Sequence, residues 1–176
     1  SITANDFIFA RGALWSLAGR INLLKEDYVT ASIDLKTVID IGVYALEYPI
    51  DNIYKTGSTE TILGFPKQGS LSSYLYEGRD IVPVFRYTEA ILNYALSKLE
   101  IGDLETASTW MEHVNQRSDI WEVIAGTQEE LKEILFQMIT REINKEGTRF
   151  MYLKYFNKAE TILGIPTYKK ALPIPV

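Results

Sequence analysis

The sequence has no cysteine, a single histidine and no long apolar run. The missing thiols exclude disulfides, thiolate nucleophiles and Cys-based zinc sites. The lone histidine, His113, has no Cys partner and makes a poor metal ligand or catalytic base. The longest stretch without a charged residue is nine residues, Gln68 to Tyr76, whereas a membrane-spanning helix needs roughly 20 apolar residues. Basic charge is also short: 18 Lys and Arg stand against 23 Asp and Glu, a net charge of −5. That balance disfavours a broad phosphate-binding face and so a nucleic-acid partner. No Gly-rich phosphate loop, nucleophile elbow or Cys/His ligand spacing is present, and no cofactor is expected. No leader pattern is visible from Ser1 onward, so the expectation is that a targeting segment has been removed upstream.

What is present is helical periodicity. At 176 residues the chain suits one domain that buries roughly 70% of its unfolded surface. Phe7, Ala10, Leu14, Leu17, Ile21 and Leu24 recur at alternating steps of three and four and predict one core-facing stripe on a first helix. Tyr28, Ala31, Leu35 and Val38 predict a second, ended by Gly42. Residues 43–80 show no sustained helical period and carry Pro49, Gly57, Gly64, Pro66, Gly69 and Gly78. They read as a long irregular loop with an extended piece at Thr61 to Phe65. Pro83 is placed to start a third helix, with Val84, Thr88, Ile91, Ala95 and Leu99 as its stripe. A fourth carries Leu104, Ala107, Met111 and Val114. Thr127-Gln128-Glu129-Glu130 has the form of a capping box before a fifth, which continues with a kink at Gly147 through Phe150 and Leu153. The proline-bearing tail from 158 to 176 reads as irregular.

The second and fourth helices repeat one another. Asp27, Tyr28, Ala31, Leu35 and Val38, each shifted by 76, become Asp103, Leu104, Ala107, Met111 and Val114. A large residue fills the corner of a helical hairpin, and Ala three positions on lets two backbones approach, which is the logic of tetratricopeptide (TPR) repeats. Gly102 opens the second copy, where the first has Glu26. A second echo sets Glu60-Thr61-Ile62-Leu63-Gly64-Phe65-Pro66 against Glu160-Thr161-Ile162-Leu163-Gly164-Ile165-Pro166, identical at six of seven positions. No physical reason for it is evident; two similar turns or edge segments are the plain expectation.

Several motifs then carry a resemblance. Arg86-Tyr87-Thr88-Glu89, followed by Tyr94-Ala95, resembles the Arg-Tyr-x-Glu entry helix of the SusD/RagB family. Arg141-Glu142 with Glu146-Gly147-Thr148-Arg149-Phe150 and Tyr152-Leu153-Lys154 is similar to that family's Arg-Glu…Glu-Gly-His-Arg signature, with Thr148 in place of His and Tyr152 in place of Asp. Leu172-Pro173-Ile174-Pro175 is similar to its terminal motif. The helix at Ala10-Arg11 and the turn at Asp27-Tyr28 resemble its second helical repeat. The resemblance implies an all-α fold of TPR-like hairpins packed as one compact domain over 1–176. Its parts are a hairpin at 1–42, a loop at 43–80 between the second and third helices, a hairpin at 81–117, a C-terminal helix at 127–157 and an irregular tail. It also implies a shortened member or a fragment, in which one helical face is left with an exposed apolar patch.

The candidate site residues follow from this reading. Glu142, Lys145, Glu146 and Arg149 fall on one face if the fifth helix runs on. A carboxylate pair for acid–base work is the sharper reading; a salt-bridge cluster is the plainer and preferred one. Within the resemblance, Arg86, Glu89, Arg141, Glu142, Glu146, Gly147 and Arg149 are structural motif residues. The loop aromatics Tyr48, Tyr54, Phe65, Tyr74 and Tyr76 and the second connection's Trp121 suit the apolar faces of sugar rings. Tyr54, Tyr74, Tyr76 and Trp121 are the expected ligand contacts. The resemblance implies a non-enzymatic nutrient-binding role at the outer face of an outer membrane, through a lipid anchor outside this sequence. It further implies an oligosaccharide ligand and a SusC-like TonB-dependent transporter as partner. The alternative is a helical-repeat adaptor that binds protein and no sugar.

Overall fold

The computed structural model describes residues 4–66, 79–117, 126–143 and 147–164. Its elements run α1 (Ala4–Leu24), α2 (Tyr28–Asp40), a short 3-10 helix (Ile50–Tyr54), β1 (Thr61–Pro66), β2 (Ile81–Arg86), α3 (Tyr87–Glu100), α4 (Leu104–Asn115), α5 (Gln128–Glu142), α6 (Arg149–Tyr155) and α7 (Ala159–Leu163). The fold is mostly helical, with one two-stranded antiparallel sheet. No described helix is long and apolar enough to cross a membrane.

The two hairpin corners are built alike. Asp27 and Asp103 cap α2 and α4 with backbone angles of −84°, 73° and −86°, 72°. Each carboxylate accepts a hydrogen bond at 3.2 Å from the backbone N–H three residues on, Thr30 or Thr106. This satisfies one of the free donors of the first turn. The preceding residue is left-handed in both: Gly102 at φ 83° and Glu26 at φ 62°. Ala31 and Ala107, Leu35 and Met111, and Val38 and Val114 are all buried. The repeat is therefore a repeat of structure.

Helix α3 is central. Twelve of its fourteen residues are buried, because α1, α2, α4, α5 and β2 all pack on it. The capping box at Thr127 forms as the sequence indicates, with Glu130 bonded back to the Thr127 N–H at 2.8 Å.

Helix α1 corrects the sequence reading. The described part of the predicted core stripe faces outward: Leu14, Leu17, Ile21 and Leu24 are exposed, Leu14 at 67% and Leu24 at 56%, while the side chains of Phe7 and Ala10 lie outside the described residues. The inward face is instead Gly12, Ser16, Gly19 and Leu23. The reason is backbone proximity. A Cβ on Gly19 would stand 2.5 Å from Leu35, and one on Gly12 would stand 2.1 Å from the Tyr44 hydroxyl. Small residues let α1 approach α2, and large ones are left on the far side.

Other boundaries also differ. Pro83 lies inside β2, paired with Gly64 beside an irregularity in the ladder, and α3 begins only at Tyr87. A proline tolerates this because a strand with one neighbour has open N–H positions. Residues 43–80 are not wholly irregular, since they hold the 3-10 helix and β1, the latter over the stretch read as extended. Helix α5 ends at Glu142, and Gly147, at φ 81°, precedes a separate α6. The tail contains α7, which Gly164 closes in a left-handed cap. The two echo segments thus fold differently: Thr61–Pro66 is a strand and Ala159–Leu163 a helix. The first is the edge segment expected; the second is neither a turn nor an edge segment.

Candidate functional site

Beneath the loop lies a buried cluster of charges. Glu60, at the foot of β1, is fully buried. Its Oε1 accepts from Arg86 Nη2 at 2.7 Å and from the Thr88 hydroxyl. Its Oε2 accepts from Arg117 Nη1 at 2.6 Å and from the Glu47 backbone N–H at 2.8 Å. Arg117 also donates through Nη2 to Glu142 Oε2 and, at 3.1 Å, to Thr88 Oγ1. Arg86 Nη1 donates to the Glu142 carbonyl at 2.6 Å. Burial alone would raise the Glu60 pKa, but the two guanidiniums and the hydrogen bonds outweigh it and hold the carboxyl below its usual range. The cluster ties the loop to α3, the end of α4 and the end of α5. Both oxygens of Glu60 and Oε2 of Glu142 accept hydrogen bonds, which favours one geometry for the buried ion pairs, while Arg117 Nε is buried without a partner.

Above the cluster, an open groove of about 480 Å³ is lined by Leu46, Glu47, Tyr48, His113, Gln116 and Arg117. The loop supplies one wall and the last turn of α4 the other. Tyr48 is 78% exposed, and His113 and Gln116 are exposed beside it. The His113 ring stands edge-on to Trp110 at 5.7 Å, which fixes its tilt. Glu47 is anchored, its Oε1 accepting from the Thr59 N–H and hydroxyl, each at 2.8 Å. The groove thus offers one aromatic face, an amide and an imidazole on a wall held by buried ion pairs.

The expected site residues fall unevenly around this groove. Tyr54 does not line it: it is buried at 8% exposure, and the Arg79 guanidinium covers its ring at 3.5 Å. A ring so enclosed presents no face to a ligand. Tyr74, Tyr76, Trp121, Lys145 and Glu146 lie outside the described residues. Glu142 and Arg149 do not share a helix, since α5 stops between them; Glu142 pairs with Arg117, while Arg149 and Arg141 are exposed. Glu89 accepts a two-pronged ion pair from Arg20 of α1, at 3.0 and 2.7 Å, and a hydrogen bond from the Tyr152 hydroxyl at 3.1 Å. Burial, then the Glu89 charge, push the Tyr152 phenol well above its ordinary value, so it serves as a neutral donor. Among the groove residues, the sequence singled out Tyr48 as a loop aromatic and His113 only as an isolated histidine. Glu60 and Arg117 had no signal, because their partners lie 26 to 57 residues away.

A second groove, about 760 Å³, lies between the α1–α2 corner, the end of α3 and α6, with Leu24, Tyr28, Phe150, Met151, Lys154 and Tyr155 in its lining. The Tyr155 hydroxyl is already given to Glu100 at 2.8 Å, and the lining is continuous at Leu24 with the exposed stripe of α1. Size favours this groove, but the chemistry of small-molecule recognition, with polar groups left open beside an exposed ring, favours the smaller one.

Asp-capped helical hairpins carrying a loop-built groove define a TPR-like helical scaffold. The sequence profile of the SusD family matches residues 61–170, more than half of the chain. The chain belongs to the SusD family. A search of curated proteins returned no match. Among solved structures, the fold is similar to a SusD superfamily protein from Bacteroides vulgatus ATCC 8482, with a TM-score of 0.72 at 15% identity over 87% of this chain and 53% of that one. It is also similar to one from Bacteroides fragilis, with a TM-score of 0.69 at 20% identity over 79% of this chain and 46% of that one. The chain spans about half the length of the solved structures it matches.

Proposed function

We propose that the chain is the helical scaffold of a non-enzymatic glycan-capture protein, which holds an oligosaccharide in the groove beside Tyr48. The observation that carries this is the exposed Tyr48 ring facing open hydrogen-bonding groups, His113 and Gln116, across a groove in a SusD-family fold. Sugar rings stack their C–H faces on such a ring while amide and imidazole meet the hydroxyls. Capture without bond cleavage is supported by the nearby carboxylates. Glu60 and Glu142 are locked to arginines, and glycoside hydrolysis needs two carboxylates free to face each other across the sugar. Family membership supports a place at the outer face of an outer membrane, with a lipid anchor and hand-over to a SusC-like TonB-dependent transporter. Tyr74, Tyr76 and Trp121 are proposed as further stacking residues.

The test is a calorimetric and glycan-array screen of plant, host and microbial oligosaccharides, followed by Tyr48→Ala on any hit. A stacked ring contributes about 0.5–1.5 kcal/mol beyond simple burial, so affinity is expected to fall up to about tenfold. Unchanged affinity in Tyr48→Ala would place the sugar elsewhere, and silence from folded protein would remove the reading.

The exposed stripe of Leu14, Leu17, Ile21 and Leu24 favours a second reading, in which α1 docks against protein. A contiguous apolar face of this kind marks a contact with another polypeptide. The two readings concern different surfaces and are compatible.

A further inference from the structure

The charge arrangement under the groove bears on which sugars it accepts, and this step rests on the capture reading above. Arg117 is the only permanent cation among the described lining residues. Its side chain is only 5% exposed, and its two terminal nitrogens are fully used. Nη1 donates to Glu60 and, at 3.4 Å, to the Glu47 carbonyl; Nη2 donates to Glu142 and Thr88. No Nη hydrogen is left to meet a ligand, and the Nε–H, which has no hydrogen-bond partner, is buried away from solvent. Within the cluster and its wall, three carboxylates, Glu47, Glu60 and Glu142, stand against two guanidiniums, Arg86 and Arg117. A ligand carboxylate entering here would lose its water, gain no cationic partner and meet excess negative charge.

We infer that the groove selects uncharged oligosaccharides over acidic ones, and that Glu60 and Glu142 set this selectivity by withholding the Arg117 guanidinium from the ligand. Selectivity of this kind comes from a repulsive element as much as from attraction. The remaining contacts, Tyr48, His113 and Gln116, suit hydroxyls and apolar ring faces. Glu60 and Glu142 touch no ligand themselves. They act through Arg117.

The experiment compares uronate-containing oligosaccharides with their carboxyl-reduced counterparts, which share length and linkage and differ only in charge. Wild-type protein is expected to prefer the reduced member by about tenfold or more, a penalty that shrinks as salt screens the repulsion. Glu60→Gln and Glu142→Gln each free part of the guanidinium, and the acidic-to-neutral affinity ratio is expected to rise at least several-fold. A merely structural role would weaken both ligands together and leave that ratio unmoved, which would overturn the assignment to Glu60 and Glu142. Should one variant fail to fold, the other and the wild-type ratio still decide. A wild type that binds the acidic member equally well or better overturns the inference while the capture reading stands. A folded protein that binds neither member nor any neutral sugar overturns both.

Discussion

The hairpin α1–α2 and the hairpin α3–α4 turn through the same Asp-capped corner, yet α3 is enclosed on nearly every side while α1 is open along one. At the shift of 76, the exposed Leu14, Leu17 and Ile21 of α1 correspond to Ala90, Asn93 and Ser97 of α3, all buried. Asn93 is reached by the Tyr152 hydroxyl of α6 at 2.9 Å. The local code of cap, corner residue and small contact is therefore independent of what later covers the helix. The same code can sit in the centre of an array or at its open edge.

The comparison is broken most severely at the paired core positions. Leu35→Ala and Met111→Ala should each cost about 2–5 kcal/mol, because both side chains are fully buried at equivalent corners. Equilibrium urea unfolding of the two variants checks this, and a cost confined to one hairpin would show that the repeat is not energetically matched. The corners themselves should differ by less. Glu26 holds a left-handed conformation that costs a side chain about 1 kcal/mol relative to glycine, while Gly102 holds it freely. Glu26→Gly is thus expected to stabilise by about 0.5–1 kcal/mol, and Gly102→Glu to destabilise by a similar amount, both read from the shift in urea midpoint.

Much of this was legible in the sequence, and the failures have particular causes. Thr127 announces its cap because capping is local, and the turns at Asp27 and Asp103 show as a repeat. The face of α1 that packs was misread because its contact is made by Gly12, Ser16 and Gly19, whose value lies in what they lack, and hydrophobic periodicity is blind to that. Pro83 opens helices by local rule, yet pairing with β1 overrode it. The Glu60 and Glu160 segments carry the same Thr-Ile-Leu into a strand and a helix, so tertiary pairing outweighs propensity there. The groove was only half visible. Tyr48 stood out as an aromatic in a loop, but the ion pairs that hold its wall join residues distant in sequence and leave no periodic trace.

A sugar held in the proposed groove would lie between Tyr48 and His113. The chain has one histidine, so the imidazole proton resonances of His113 are a single unambiguous reporter. Titration with the tightest neutral oligosaccharide from the screen should shift those resonances along a curve matching the calorimetric affinity, and the shift should weaken in Tyr48→Ala. Calorimetric binding that leaves the His113 signals unmoved would contradict the account and assign the ligand to another surface.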